Sequence, residues 1–322
     1  MANGVLFILL CLFLGTSYAW TKLGLEGFDP LTFVLIRLLI GIAVLAVWMR
    51  ARGETFPRER RTLSRLGALG AINVWGAFLL ITWGQQYVSS SYAAILVAAG
   101  PVFSSVGAWV VLPDEELDRS RALGVLLGFA GVAALFAGDL GNDSQHSRVE
   151  QLLGATAVIA GAVIVASVAI AVRLRIRELT PAQIALPQLI AATTMVGVLM
   201  AIVAALGGSF RFDPWSPGVI VGLLALGVLN AGLGNVIYYR LIMRWGVTRT
   251  ALVGYAAPFV AAAIGATLLD ERLGAAAFAG LALTTVSLVW VNRGRSELAL
   301  RGSSGAVGAV TGGAANTGGG TE

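Results

Sequence analysis

The stretch "LVGYAAPFVAAAIGATLLDERL", residues 252–273, is an apolar run with one proline inside it and a charged cluster at its end. A second stretch, "ILVAAGPVFSSVGAWVVLPDEEL", residues 95–117, repeats the layout: apolar run, Pro101, apolar run, acidic cluster, Leu. A proline in mid-helix normally costs about 3 kcal/mol, so Pro101 and Pro258 at matching places ask for a reason. Composition supplies the setting. Of 322 residues, 57% are hydrophobic and only 12% are charged, half the roughly 25% of a soluble domain. That is too little polar surface for a water-soluble body of this size, and the chain reads as an all-α integral membrane protein whose first partner is the lipid bilayer.

A spanning helix needs about 20 predominantly apolar residues. Ten such runs follow one another, at 4–21, 31–49, 66–87, 92–112, 121–138, 152–172, 182–206, 217–239, 248–268 and 273–292. Ten transmembrane helices leave only short loops and no room for a large extramembrane domain. The N-terminal run resembles a secretory signal, but it lacks a basic leader and is long enough to span, so it is read as the first helix. With the N-terminus inside, 17 Lys and Arg residues fall in cytoplasmic segments, 4 fall outside, and Arg37 lies within a span. The positive-inside rule then puts both termini in the cytoplasm. The arginines cluster where apolar runs stop and form no basic stripe interleaved with aromatics, which argues against a nucleic-acid partner.

The chain is written twice. Gly70, Asn73 and Pro101 match Gly227, Asn230 and Pro258 at an offset of 157, and Asp114, Glu115, Leu117 and Gly124 match Asp270, Glu271, Leu273 and Gly280 at 156. Asp29-Pro30 matches Thr180-Pro181 at 151, in each case a capping side chain before a proline at the first helical position. The polar break around residues 140–148 divides the spans five and five. Five is odd, so the second copy enters the membrane from the opposite side. The expected architecture is therefore two inverted-topology five-helix repeats, at 1–138 and 152–292, joined by a polar outer linker at 139–151. Residues 293–322 form a cytoplasmic tail, rich in Gly and expected to be disordered. Inverted repeats are the plan of many secondary transporters, with the solute bound near the midplane. Pro101 and Pro258 would then be paired helix bends, where a polar cavity or neighbouring helices satisfy the freed carbonyls.

These features carry a family resemblance. Ten spans in two inverted fives, the segment "GTSYAWTKLGLEGFDPLTFVLIRLLIG" (residues 15–41) and the two Pro…Asp-Glu…Leu…Gly segments resemble the drug/metabolite transporter (DMT) superfamily, EamA type, over roughly residues 1–292. One departure is "PDEEL" in the first half against "DERL" in the second. The resemblance implies a carrier in the cytoplasmic membrane that moves a small-molecule solute through a central cavity, with amino acids or related solutes exported. Nucleotide sugars or lipid carriers are the alternative cargo, and a non-transporting membrane scaffold is the alternative class.

All 17 acidic residues lie in loops, at span ends or in the tail, and His146 is the sole histidine. No intramembrane Ser/His pair, paired Asp or metal motif is present, so neither an enzyme nor a cofactor or metal site is expected. Arg37 is the one basic residue well inside a span, about 9 Å from its end at 1.5 Å per residue. An intramembrane Arg is a functional candidate by default. Arg37 either receives a substrate carboxylate or snorkels to the headgroups and helix-end carbonyls. Asn73 and Asn230, symmetric and mid-span, either bond a polar solute or glue helices together. Trp75 and Tyr255 are further cavity candidates, with Ser17, Tyr18, Trp83, Gln85, Tyr238 and Tyr239 behind them. Gly124-x-x-x-Gly128 permits close helix approach and suits packing or a homodimer.

Overall fold

A computed structural model describes residues 2–100, 103, 119–137, 146–173, 179–245, 250, 253–269, 274–275, 277–283 and 285–286. The helices are α1 (Ala2–Leu25), α2 (Pro30–Ala51), α3 (Arg60–Gly70), α4 (Phe78–Gly84), α5 (Ser90–Ala98), α6 (Arg119–Ala137), α7 (Arg148–Arg173), α8 (Pro181–Ala205), α9 (Pro217–Ala225), α10 (Asn235–Trp245) and α11 (Val253–Leu268). Two π-helical segments interrupt this series. The first, Ala71–Ala77, joins α3 to α4, and the second, Leu226–Gly234, joins α9 to α10. Among the described residues, six helical stretches are long and apolar enough to cross a membrane: Asn3–Leu25, Pro30–Ala51, Arg60–Gly84, Arg148–Val165, Pro181–Ala205 and Pro217–Arg244. The chain is therefore an all-helical, multi-pass membrane protein. Large side chains such as Val47, Val198 and Ile202 stand exposed on these helices, as lipid-facing residues do.

Local chemistry explains where the helices begin. Asp29 accepts hydrogen bonds from the Leu31 and Thr32 backbone N–H groups at 3.0 and 3.2 Å, and Pro30 opens α2. Thr180 and Gln183 form a reciprocal capping box before α8, with Pro181 at its first position. Ser147 and Glu150 cap α7 in the same way, satisfying donors that an open helix end leaves unpaired. The third span begins at Arg60, earlier than its hydropathy suggests. Its first turns are amphipathic, with Arg60, Arg61 and Arg65 exposed and Leu66 buried.

The two proline-led helices also tie the halves of the chain together. At one end of α2, the Asp29 carboxylate accepts from the Arg211 backbone N–H at 3.1 Å, and Asp213 N–H donates to the Gly27 carbonyl at 2.8 Å. At its other end, Thr180 donates to Glu54, and Gln183 Nε2 donates to the Thr55 carbonyl at 2.9 Å. The start of α2 thus meets the segment after α8, and the end of α2 meets the start of α8. The two helices lie antiparallel, with Val34, Leu38 and Leu45 packed among Ile184, Leu189 and Ala192.

Glycines set how closely the helices approach. A Cβ on Gly41 would stand 2.7 Å from the Ala231 Cβ, and one on Gly227 would stand 2.6 Å from the Ile40 Cβ, so α2 lies tight against the second π segment. A Cβ on Gly70 would meet the Gln188 carbonyl oxygen at 2.4 Å, so α3 lies equally tight against α8. Pro258 is buried inside α11, which runs through it as one helix against α1 and α5. Pro101 and residues 139–145 of the linker lie outside the described residues.

Candidate solute site

Arg37 lies a little under two turns into α2 and is 5% exposed. Its guanidinium carbon sits 4.3 Å from the centre of the Phe78 ring, a cation–π contact in the range of about 0.5–2 kcal/mol. Nε is buried and has no hydrogen-bond partner. No carboxylate pairs with the guanidinium among the described residues; their acids (Glu26, Asp29, Glu54, Glu59, Glu150 and Asp213) all sit in loops, caps or first turns. Snorkelling would carry the head group into water, and a side chain this buried has not done so. What remains is a desolvated cation resting on an aromatic face, with donor capacity unspent.

Two elements around α2 carry the symmetric asparagines. Phe78, under the guanidinium, opens α4 directly after the first π segment, and Asn73 lies on that segment. The second π segment packs along α2 through Gly41 and Ala231, and Asn230 precedes Ala231. Residues 71–77 shifted by 157 become 228–234, so the two π segments occupy corresponding places in the chain. A π turn bonds i to i+5, widens the helix and releases backbone groups, and such turns cluster at functional sites.

The two asparagines differ in their bonding. Asn230 Nδ2 donates to the Phe13 carbonyl on α1 at 3.3 Å, which ties two helices together. Asn73 Oδ1 is buried with no donor. The first therefore serves as glue in this conformation, and the second is an acceptor left open. Trp75 lies on the first π segment and Tyr255 on α11, but their side chains are outside the described residues. α11 packs against α1 and α5 rather than joining the group around Arg37.

Of the secondary candidates, Gln85 Nε2 donates to the Tyr18 carbonyl at 3.2 Å, and Ser17 donates to its own helix at Leu14. Tyr239 donates to Gln188 Oε1 at 3.1 Å. Gln188 was not singled out from the sequence. It is 2% exposed, and its Nε2 has no acceptor. The signal was available: Asp29 maps to Thr180 at an offset of 151, and the same offset maps Arg37 to Gln188.

The model of the EamA-like transporter family matches residues 2–137 and 152–293. The chain belongs to that family. It is a transporter and not an enzyme. Among EamA relatives, it is 24% identical over 291 residues to the uncharacterized transporter YvbV of Bacillus subtilis (strain 168), covering 90% of this chain and 91% of that one. It is 24% identical over 278 residues to a probable terminal-alkyne amino-acid exporter of Streptantibioticus cattleyicolor, covering 86% and 89%. The inner membrane transporter YedA of Escherichia coli (strain K12), also uncharacterized, is 24% identical over 297 residues, covering 91% and 90%. One solved crystal structure superposes with a TM-score of 0.61 at 19% identity, covering 90% of this chain and 97% of that one, a likeness of fold alone.

Proposed function

We propose that this EamA-family protein is a secondary transporter of the cytoplasmic membrane that exports amino acids or related carboxylate-bearing solutes by alternating access. The observation that carries the reading is Arg37, buried, stacked on Phe78 and without a carboxylate partner among the described residues. A guanidinium so positioned holds a carboxylate through charge-assisted hydrogen bonds. The open acceptor of Asn73 suits the ammonium group at the other end of the same solute.

The proposed architecture is ten spans in two inverted repeats, 1–138 and 152–292, with the linker 139–151 outside and the tail 293–322 inside. It is supported by a family match in two blocks, by the paired π segments, by the antiparallel α2 and α8, and by the charge distribution that favours cytoplasmic termini. One repeat rocks against the other around the site, and Pro101 and Pro258 are bends within that motion. A solute drives the cycle only as far as it binds the two states differently. The name of the Streptantibioticus relative supports amino acids as cargo.

The test is exchange in proteoliposomes preloaded with a mixed metabolite panel, comparing wild type with Arg37→Gln. The reading expects a carboxylate-bearing solute to move, and the variant to lose it while still moving neutral analogues. Equal behaviour of the two proteins makes Arg37 architecture and overturns the assignment.

A further inference from the structure

We infer that Gln188 is a second solute-holding residue, the counterpart of Arg37 on α8, whose Nε2 donates to the same carboxylate. This rests on the reading of Arg37 given under Proposed function and deepens it. α2 and α8 begin with the same device, a capping side chain followed by proline, at an offset of 151. Counted from those starts, Arg37 and Gln188 are the same position. Both are buried, at 5% and 2% exposure, and each holds a buried N–H without an acceptor, Nε of Arg37 and Nε2 of Gln188.

The helices that carry them are in contact. Leu189 lies against Gly41, where a Cβ would stand 3.2 Å from the leucine Cδ1. Gln188 is one residue from that contact and Arg37 four, on antiparallel helices, which separates their Cα atoms by roughly 7–8 Å along the axis at 1.5 Å rise per residue. Side chains of this length can converge on one small solute from either side of the crossing.

The amide of Gln188 is fixed on one side only. The Tyr239 hydroxyl donates to Oε1 at 3.1 Å, and this occupies the acceptor end and leaves the NH2 end to bond something else. The backbone behind it is pressed against Gly70, so no room remains there for a further partner. A glutamine kept only to accept from Tyr239 leaves its NH2 unpaired, and a buried donor without an acceptor costs stability. The donor is retained at the position that mirrors an equally unpaired arginine. A solute carboxylate, with about four lone-pair sites, satisfies both.

The experiment uses the full-length protein in proteoliposomes and a panel of the twenty proteinogenic L-amino acids, followed by the amide of the one exchanged fastest. Three variants are compared with wild type: Gln188→Met, which keeps the side-chain length and a weak sulfur acceptor for Tyr239, adds no charge and removes the NH2; Gln188→Leu combined with Tyr239→Phe, which removes both ends of the hydrogen bond; and Arg37→Gln. Loss of a hydrogen bond to a charged group raises KM for the amino acid by about 10- to 100-fold. In the two Gln188 variants Arg37 still holds the carboxylate, so the loss shows chiefly in KM and less in the maximal rate, whereas Arg37→Gln loses carboxylate exchange. KM for the amide, whose neutral carbonyl accepts only an ordinary hydrogen bond, rises by less than about 10-fold. Thermal unfolding in detergent reports folding, and Gln188→Met carries the test if the double variant unfolds. An unchanged KM in the Gln188 variants, with carboxylate exchange lost in Arg37→Gln, makes Gln188 structural and overturns this inference alone. An unchanged KM in all three overturns the Arg37 reading as well. Wild type exchanging no member of the panel overturns the amino-acid reading, and this inference with it.

Discussion

Gly70→Ala and Gly197→Ala are the same chemical change in helices of the same protein, and the structure gives them opposite signs. At Gly70 the new Cβ would stand 2.4 Å from the Gln188 carbonyl oxygen and 2.5 Å from its Cα, against an ordinary contact of 3.4 Å or more. The obstacle is helical backbone, so α3 and α8 must part by about 1 Å. Overpacking of this kind costs about 1–3 kcal/mol, and replacing glycine in a helix returns at most about 1 kcal/mol. At Gly197, inside α8, nothing lies within 4 Å of the new atom, so only the gain of about 0.5–1 kcal/mol remains. The gain is common to both, so the two variants should differ by the overpacking cost of about 1–3 kcal/mol, which at about 2–4 °C per kcal/mol for a chain of this order separates their unfolding midpoints by about 2–12 °C. Differential scanning fluorimetry in detergent, at one scan rate because unfolding here need not reverse, measures the difference. Gly70→Ala melting at or above Gly197→Ala would refute the close packing of α3 on α8.

The other predictions concern polar groups. Asn230→Leu removes the bond to the Phe13 carbonyl, which keeps the Thr16 hydroxyl as a donor, so it lowers the unfolding midpoint by an amount equivalent to about 0.5–1.5 kcal/mol. Asn73→Leu removes an acceptor that has no donor; it leaves the midpoint unchanged or higher and reduces exchange of ammonium-bearing solutes in proteoliposomes. Asp29→Ala strips the cap of α2 and the tie to Arg211, costing about 1 kcal/mol for the cap, seen as a lower midpoint than wild type. Removing residues 302–322, a segment dominated by Gly, Ala, Ser and Thr, leaves exchange unchanged in the same assay; a large loss contradicts the reading of the tail.

What the sequence disclosed depended on how local the cause was. Asp29-Pro30 and Thr180-Pro181 marked the starts of α2 and α8 to the residue, because capping needs only the chain's own next turn. Arg37 was visible as a charge in an apolar run, but the sequence left snorkelling open, and its burial against Phe78 came from the structure. The start of the third span at Arg60 was missed because an amphipathic turn does not register in a count of apolar residues. The π segments were not legible at all. Nothing in AINVWGA or LGVLNAGLG distinguishes π from α propensity; the widened turns accompany tight packing against other helices, such as Gly227 on Ile40 and Gly232 on Val44. Gln188 was overlooked for a different reason. The repeat was traced through residues of the same kind or the same capping role, whereas equivalence of position joins an arginine to a glutamine.

The central claim is that water and solute reach the middle of the membrane beside Arg37. It is tested most directly by thiol accessibility, with Cys11 replaced by alanine and a single cysteine placed at position 73. A membrane-impermeant thiol reagent should label that cysteine in intact proteoliposomes, and a transported amino acid should slow the labelling. Silence at position 73, while a cysteine at the exposed position 52 reacts in a parallel sample, would contradict the account.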